Sequence, residues 1–533
     1  MITRYILALV LGFCVATGPV LAQVSQPESL TPPTAAQATG AKQKSPAAPK
    51  RGVMMDGEDE IVIIPGPKIG GSSKPVITPE ILEALYGAVW QKVGKEYTDR
   101  QKLQDWGKWQ HKFKGKLKTP EDLDAAIKEM VGSLEDRWTT YTSPADIADA
   151  RQNFKDGKMP IGMLLRPHKD NKWHIDGMMY NSPAQKSTLR EGDVITKING
   201  KDITTMTAAE VSKELMGKEG EKVSVVAVYD NAEHTVELTF AKPGPNGVEI
   251  GMLPGNIAYA RLPTFVKEEI VQQFIQNLGM LYLQAGGEVN GLIFDLRYNS
   301  GGLVTMALQV SGMFLEKGTI VRTTTREDRM VNNNEYVVEG IPPHLLANMP
   351  VPVAAFQLWM QTVPLVVLSN GSTASASEIT IGALKDNNRA FIIGAKTFGK
   401  AVGYTNTPMP NGGVIQVTNL KYLTPNGTYI ADTGIEPNKA VELTRGNAVN
   451  TEDDEQLLAG HAHLLEIVKK RAEQMADASA AATKPQAPAA AAEKPFVLHG
   501  LHVAGAVLGG LITLLLGAFA FSSLRGRIFK RRG

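Results

Sequence analysis

The sequence has 533 residues, which is enough for about three or four domains of ordinary size. Hydrophobic residues make up 43% of the chain and charged residues 21%, as in proteins that bury a core, so wholesale disorder is excluded. The net charge is +2, and the positive charges of the leader and the basic tail exceed it, so the body is mildly acidic and nucleic-acid binding is excluded.

Residues 1–22 have the pattern of a secretory signal peptide. Arg4 supplies the positive start, an apolar run follows, and Val20-Leu21-Ala22 offers a small-residue cleavage site. The sole cysteine, Cys14, lies in this leader, so the mature chain has no disulfide and no thiol nucleophile. Residues 23–76 are rich in Pro, Ala and polar residues and are predicted to be a disordered linker.

Residues 77–148 are predicted to form a small helical region. Two helix starts share one signal, a threonine cap followed by proline and glutamate, at Thr78-Pro79-Glu80 and at Thr119-Pro120-Glu121. Apolar residues follow each start at helical spacing, so each helix is expected to face a core.

Residues 149–243 change to short strands, tight turns and one short helix, an order that resembles a PDZ domain. The resemblance implies that the loop Ile161-Gly162-Met163 presents backbone N–H groups to the terminal carboxylate of a peptide that adds to the sheet edge. The alternative is an unrelated β-rich domain.

Residues 246–471 are predicted to form a third folded region that ends in a C-terminal helix. Residues 291–296 have the pattern of a buried strand, and a turn with Gly301-Gly302 and then a helical pattern follow. Paired glycines allow a turn to expose its backbone N–H groups to a ligand oxygen. The alternative is a purely structural turn whose backbone needs a positive φ.

A second buried strand, residues 364–369, leads into a turn of small and hydroxyl residues at the start of a helix. A serine there has a helix N-terminus behind it that favours developing negative charge, although each hydroxyl residue is also a candidate N-cap. The candidates are Ser372, Thr373, Ser375 and Ser377.

A serine nucleophile needs a base, and no histidine stands in a comparable motif; HExxH is also absent. The remaining candidate is Lys400, in Thr397-Phe398-Gly399-Lys400, because a buried lysine can become neutral enough to accept a proton. A surface lysine is the alternative.

These blocks together (GLIFDLRYNSGG, STASASEITIGALKDNNRA, TFGK and KYLTPNG) resemble the C-terminal processing, or tail-specific, peptidases over about residues 78 to 445. The resemblance implies an α/β core of the crotonase and Clp-protease type with an inserted PDZ domain. It places the nucleophile at Ser375 and the general base at Lys400. It places the oxyanion donors at Ala376 and the Gly301-Gly302 turn, and a supporting acidic residue at Asp386.

The sequence departs from the family beside the lysine. Members usually have glycine directly after it and glutamine four positions after it, where this chain has Ala401 and Tyr404. Either the Tyr404 hydroxyl orients the amine or the backbone alone holds Lys400. The segment 340–361 is also longer and more apolar than the corresponding connection in the family. Its alternative roles are a lid, a subunit contact or packed surface.

The C-terminal part is predicted to anchor the protein. Residues 472–495 are nearly all Ala, Pro, Lys and Glu and are predicted to be a linker. Residues 496–524 are uncharged and long enough to cross a bilayer, and the basic residues 525–533 stay cytoplasmic by the positive-inside rule.

The resulting hypothesis is a membrane-tethered, extracytoplasmic and thus periplasmic serine endopeptidase with a Ser-Lys dyad. It needs no cofactor or metal, and its partners are polypeptides with an accessible C-terminus; a homo-oligomer is compatible with the sequence. The alternative is a catalytically silent PDZ-based binding or scaffold protein with a degenerate peptidase core.

Overall fold

The computed structural model describes residues 78–168, 170–328 and 330–482. The predicted signal peptide, the linker 23–76, the membrane span 496–524 and the basic tail lie outside the described residues. The helices are α1 (Pro79–Glu96), α2 (Pro120–Gly132), α3 (Pro144–Lys155), α4 (Ala208–Glu214), α5 (Glu268–Gln284), α6 (Val304–Phe314), α7 (Pro343–Asn348), α8 (Val351–Thr362), α9 (Ala376–Asp386) and α10 (Glu455–Ala482).

The strands of this part of the chain belong to three sheets and one two-stranded ribbon. They are β1 (Thr140–Thr142), β2 (Lys158–Pro160), β3 (Met163–Pro167), β4 (Trp173–Met178), β5 (Val194–Ile198), β6 (Lys201–Asp202), β7 (Met216–Lys218), β8 (Lys222–Tyr229), β9 (Ala232–Thr239), β10 (Glu249–Leu253), β11 (Ile257–Arg261), β12 (Gly291–Asp295), β13 (Gly318–Glu327), β14 (Met330–Val338), β15 (Leu365–Ser369), β16 (Phe391–Gly394), β17 (Val402–Pro408), β18 (Val414–Leu423) and β19 (Lys439–Ala440).

The two predicted threonine caps are confirmed. The side chain of Thr78 accepts a hydrogen bond from the N–H of Ile81, and Thr119 forms a reciprocal capping box with Asp122. The apolar faces of α1 and α2 pack together and onto β18, so the helical region is joined to the predicted peptidase core. Helix α3, which begins with another capping box at Ser143, was not identified from the sequence.

The PDZ region is a five-stranded antiparallel sheet in the order β3-β4-β5-β8-β9, with β6 added to β5. Among the described strands, β3 has a partner on one side only, so its other edge can accept an added strand. The ribbon of β2 and β7 ends at Pro160, and the predicted peptide-binding loop begins at the next residue, Ile161.

The predicted peptidase core is built on a six-stranded sheet in the order β10-β11-β12-β15-β16-β19, parallel except for β10. Because β12 and β15 are parallel neighbours, the turns that follow them meet at one edge of the sheet. These are the glycine turn and the hydroxyl-rich turn singled out in the sequence.

The long apolar segment 340–361 forms α7 and most of α8. Phe356, Trp359 and Met360 of α8 are buried in the main core, and the Trp359 indole N–H donates to the carbonyl of Val289 at 3.0 Å. The buried face of α8 is therefore packed on the main core, whereas Leu345, Val351 and Leu358 of the same segment are exposed.

The C-terminal helix α10 packs on the opposite face of the six-stranded sheet, with Leu464 fully buried there. The predicted linker start at residue 472 was wrong, because the helix continues to Ala482. Alanine has the highest helix propensity, and the first proline of this stretch is Pro485, so nothing interrupts the helix earlier. Within residues 78–168, 170–328 and 330–482, no helix is both long and apolar enough to cross a bilayer.

Three charged side chains are buried together beyond the end of β12. Arg297 donates from Nη2 to Asp295 Oδ2 at 2.7 Å and from Nη1 to Asp454 Oδ1 at 2.8 Å. Burial alone would raise the pKa of Asp295, but the Arg297 guanidinium holds that pKa below its usual value. The cluster joins the start of the glycine turn to the residue that precedes α10.

Asp454→Asn should destabilise the protein by about 3 kcal/mol, because it removes one of the two carboxylates that compensate a buried guanidinium. Urea unfolding measures the change. The matched control is Glu237→Gln, which removes an exposed ion pair with Lys222 at 3.6 Å and should cost less than about 1 kcal/mol. Equal effects of the two changes would contradict a special role for the buried cluster.

Candidate active site

Three of the four candidate hydroxyls hold the turn after β15 in place. Ser372 Oγ donates to Glu191 at 2.5 Å, Thr373 Oγ1 donates to the carbonyl of Leu296 at 2.9 Å, and Ser377 Oγ donates to the carbonyl of Asn299 at 2.8 Å. Because these hydroxyls have structural roles, the geometry favours Ser375 as the chemically active one.

Ser375 has a strained backbone at the N-terminus of α9. Its φ is 57° and its ψ is −117°, a combination that costs a residue with a side chain about 1–3 kcal/mol. The neighbours Ala374 and Ala376 are small and buried, so they leave room beside the hydroxyl. Strain of this kind is typical of residues whose position is set by function rather than by stability.

Ser375→Gly should therefore be more stable than Ser375→Ala, by about 1 kcal/mol, because glycine adopts this backbone without strain. Glycine also has more conformational entropy than alanine in the unfolded chain, which offsets part of this increase in stability. Urea unfolding of the two variants checks the difference. If alanine were at least as stable as glycine, the strain at this position would be absent.

The glycine turn lies directly against Ser375. Gly301 and Gly302 have φ of 108° and 142°, and a Cβ on Gly301 would lie 2.7 Å from the Ser375 Cβ and 2.8 Å from the Ala376 nitrogen. The N–H of Gly301 donates to Asn299 Oδ1 at 3.0 Å, so it already has a partner inside the turn. The amides of Gly302 and Ala376 are therefore the better candidates to face an oxyanion.

Lys400 belongs to a third segment, the loop between β16 and β17, and its side chain is 9% exposed. It comes after Gly399, whose φ is 87° and whose added Cβ would lie 2.8 Å from the nitrogen of Gly434. The Lys400 amine is 4.7 Å from the centre of the Tyr404 ring. Tyr404 thus stands beside the amine, as its place four residues further along β17 predicts.

Glu378 joins the two predicted catalytic residues, a role that was not predicted from the sequence. Its Oε2 accepts the N–H groups of Ser375 and Lys400, both at 2.8 Å. Its Oε1 accepts the N–H of Gly399 and the hydroxyl of Thr397, both at 2.6 Å. Burial raises the pKa of Glu378 although these four donors act in the opposite direction.

Tyr422 holds the same two residues from the carbonyl side. Its hydroxyl is 3.1 Å from the carbonyl oxygen of Ser375 and also contacts the carbonyl oxygen of Lys400. Burial raises the pKa of Tyr422, so the hydroxyl keeps its proton and can donate. One carboxylate and one phenol therefore fix the backbones of Ser375 and Lys400 relative to each other.

The predicted supporting residue Asp386 lies apart from this cluster, at the last position of α9. Its Oδ2 accepts the N–H of Asn426 at 3.0 Å, so it ties the loop after β18 to the end of the helix. This contact is structural.

The predicted peptide-binding loop has a tight backbone. Gly162 has a φ of 92°, and a Cβ there would lie 2.1 Å from the Cβ of Ser182, so only glycine fits. Ile161 is fully buried, whereas Met163 begins β3 and pairs with Met178 of β4. The loop therefore lies at the start of the open edge of β3.

The PDZ sheet contacts the turn that precedes Ser375. The N–H of Met178 donates to Ser372 Oγ at 2.8 Å, and the same hydroxyl donates to Glu191. Burial raises the pKa of the Glu191 carboxyl. The PDZ domain thus contacts the turn after β15, which carries the predicted nucleophile Ser375. No group of His, Cys, Asp or Glu residues suited to a metal ion occurs in the part of the chain that the structure describes.

Comparison with known proteins identifies two domain families to which parts of this chain are similar. Residues 256–441 match Peptidase family S41, and residues 152–228 match the PDZ domain. A probable CtpA-like serine protease of Staphylococcus aureus (strain bovine RF122 / ET3-1) is 28% identical over 335 residues, which cover 61% of each chain. A probable CtpA-like serine protease of Staphylococcus saprophyticus is 27% identical over 330 residues, which cover 61% of this chain and 62% of that one.

A solved structure, the photosystem II D1 C-terminal processing protease, is 27% identical to this chain with a TM-score of 0.55. The match covers 69% of this chain and 94% of that one. The chain spans 61% of the length of the Staphylococcus aureus relative. The predicted resemblance to the C-terminal processing peptidases with a PDZ domain is confirmed by these matches.

Proposed function

We propose that this protein is a serine endopeptidase in which Ser375 is the nucleophile and Lys400 the general base. The observation that carries the proposal is that Glu378 and Tyr422 bind the backbones of both residues, so two distant segments converge at the N-terminus of α9. The serine protease names of the relatives favour an enzyme over a silent scaffold.

The chemistry follows from the two side chains. A neutral Lys400 amine accepts the proton of the Ser375 hydroxyl as its oxygen attacks a peptide carbonyl carbon. The resulting oxyanion is stabilised by N–H groups of Ala376 and Gly302, with the α9 N-terminus behind them. The protonated amine then donates its proton to the departing amine, and water hydrolyses the acyl-enzyme by the same steps.

The PDZ domain is proposed to select substrates by their C-terminal region. The open edge of β3 allows a peptide to add as a further strand. The N–H of Ile161 already donates to the carbonyl of Leu215 at 3.1 Å, so the N–H groups proposed to receive the terminal carboxylate are those of Gly162 and Met163. Leu164, the next residue of β3, is 45% exposed at this edge. Polypeptides with an accessible, apolar C-terminus are therefore the proposed substrates.

The protein is also proposed to be exported and held at the membrane. The signal pattern of residues 1–22 and the uncharged stretch 496–524 followed by a basic tail support this topology. It places the catalytic part on the extracytoplasmic, periplasmic side.

The direct test uses a fluorophosphonate, which reacts only with an activated serine. The full chain in detergent is treated with this probe, digested and analysed by mass spectrometry, and untreated protein is assayed on an unfolded polypeptide with an apolar C-terminus. We expect one adduct, on Ser375, and hydrolysis that the probe abolishes. An adduct on another serine would assign the wrong nucleophile, and the absence of both adduct and hydrolysis would favour the scaffold.

A further inference from the structure

The amine of Lys400 lies beside two aromatic rings that come from different parts of the chain. It is 4.5 Å from the centre of the Trp138 ring and 4.7 Å from the centre of the Tyr404 ring. The two rings are nearly parallel, with an interplanar angle of 18° and centres 6.5 Å apart. Both distances are well within the range of a cation–π contact.

Trp138 belongs to the turn after α2, and this turn is fixed on the catalytic part. The N–H of Trp138 donates to Asp136 Oδ1 at 3.0 Å, and its carbonyl accepts from Gln416 Nε2 at 2.8 Å. Asp136 Oδ2 also accepts from the Thr418 hydroxyl at 2.7 Å. Since Gln416 and Thr418 lie on β18, the position of the indole is set by the same sheet that carries Tyr404.

Trp138 is also connected to the nucleophile turn. Its ring lies edge-on to Phe398, with centres 6.3 Å apart and planes at 62°, and the N–H of Phe398 donates to the carbonyl of Thr373 at 3.0 Å. The indole therefore contacts both Phe398, which lies two residues before Lys400, and the Lys400 amine itself. A side chain in this position can restrict where the amine rests.

Two guanidinium groups approach the same indole. Arg137 and Arg166 lie 5.0 Å and 4.7 Å from its centre. Both are compensated by carboxylates, Arg137 by Asp432 at 2.8 Å and Arg166 by Asp176 at 3.4 Å. The Trp138 ring is thus approached by three cationic side chains, and the two arginines are also held by aspartates.

We propose that Trp138 is a positioning residue for Lys400, and that its ring together with that of Tyr404 holds the amine where the family usually uses a glutamine amide. The inference rests on the proposed function, because it assigns how the base of that mechanism is oriented. The ring faces restrict the rotamers of the neutral amine by packing against it, and they attract the ammonium that forms when the amine has accepted the serine proton.

The test compares Trp138→Leu with Trp138→Phe in the full chain. Both variants replace the indole with a smaller apolar side chain, and the two replacements are similar in size to each other. Only phenylalanine keeps a ring face. We expect Trp138→Leu to lower kcat about tenfold with KM changed less than about twofold, and Trp138→Phe to keep kcat within about threefold of wild type. Rates are taken where urea unfolding shows that each variant is folded.

Trp109→Leu is the matched control, because Lys112 lies 4.0 Å from the centre of that ring, in the helical region and outside the catalytic cluster. It should leave kcat unchanged. Equal kcat in Trp138→Leu and Trp138→Phe, or a change in KM alone, would overturn the positioning role while hydrolysis by wild type still stands. Absence of hydrolysis in wild type would instead overturn the proposed function, and the inference with it.

Discussion

Ser375→Ala should lower the turnover of an unfolded polypeptide by about 10³-fold or more and leave the fold intact. The hydroxyl is the proposed nucleophile, and losing one member of a catalytic unit removes most of its effect. The alanine costs little stability because Ser375 supplies its structural contacts through its backbone, to Glu378 and Tyr422, and the backbone is unchanged.

Lys400→Arg should be as inactive as Ser375→Ala. Arginine stays protonated at every pH used for enzymes, so it cannot accept the serine proton even where it fills the same space. Turnover of wild type, Ser375→Ala and Lys400→Arg is measured on one substrate, with circular dichroism to compare their folds. The control is Ser212→Ala, which changes an exposed serine in α4 and should be fully active.

Substantial turnover in Lys400→Arg would rule out the dyad even if Ser375 proved essential. Turnover by Ser375→Ala at the wild-type rate would show that another residue attacks the substrate. These two outcomes are distinct, so the nucleophile and the base are tested separately.

Much of the fold could be predicted because its signals are local. A threonine followed by proline and glutamate specifies a helix start within four residues, and both predicted starts are present at Thr78 and Thr119. The buried strands at 291–295 and 365–369 are short apolar runs that end in turns rich in small residues. Their neighbouring, parallel arrangement brings the two turns together.

The roles of Glu378 and Trp138 could not be predicted in the same way. Glu378 is the third residue of α9, where a glutamate after a serine cap normally serves only the helix start. In the fold it also receives donors from the Lys400 segment, a contact that depends on how two strands and their loops are placed. Trp138 reaches Lys400 only because α2 and the turn after it pack on β18.

The substitution at Tyr404 shows how a departure from a family pattern gains meaning in three dimensions. The sequence offered its hydroxyl or the backbone as the orienting group for Lys400. The structure adds the face of the ring, which matters only in combination with the nearly parallel indole of Trp138. A ring pair from two distant segments leaves no local sequence signal.

Glu378→Gln should lower turnover at least 100-fold and destabilise the protein by about 2–4 kcal/mol. Each carboxylate oxygen accepts two donors, and glutamine replaces one oxygen with an NH₂ group that itself donates. Two buried donors then lose their acceptor, at about 1–3 kcal/mol each. Because the lost acceptor fixes the backbones around Ser375 and Lys400, their alignment suffers with the stability.

The destabilisation by Glu378→Gln should depend on pH in a definite direction. Burial raises the pKa of Glu378 in the folded protein, so the folded state binds its proton more tightly than the unfolded chain does. The stability from this proton is fully present below the unfolded pKa of about 4.3 and is lost as pH rises through the folded pKa. Glutamine does not titrate, so the deficit of the variant should be larger at pH 5 than at pH 8.

Urea unfolding of wild type and Glu378→Gln at both pH values measures this difference, and turnover at pH 8 measures the loss of alignment. Glu121→Gln, an exposed glutamate in the first turn of α2, makes the same chemical change and should alter neither quantity. A deficit larger at pH 8 than at pH 5 would mean that the four donors outweigh burial and hold the pKa of Glu378 below its ordinary value. Normal turnover in an unstable variant would separate Glu378 from catalysis and leave it a purely structural residue.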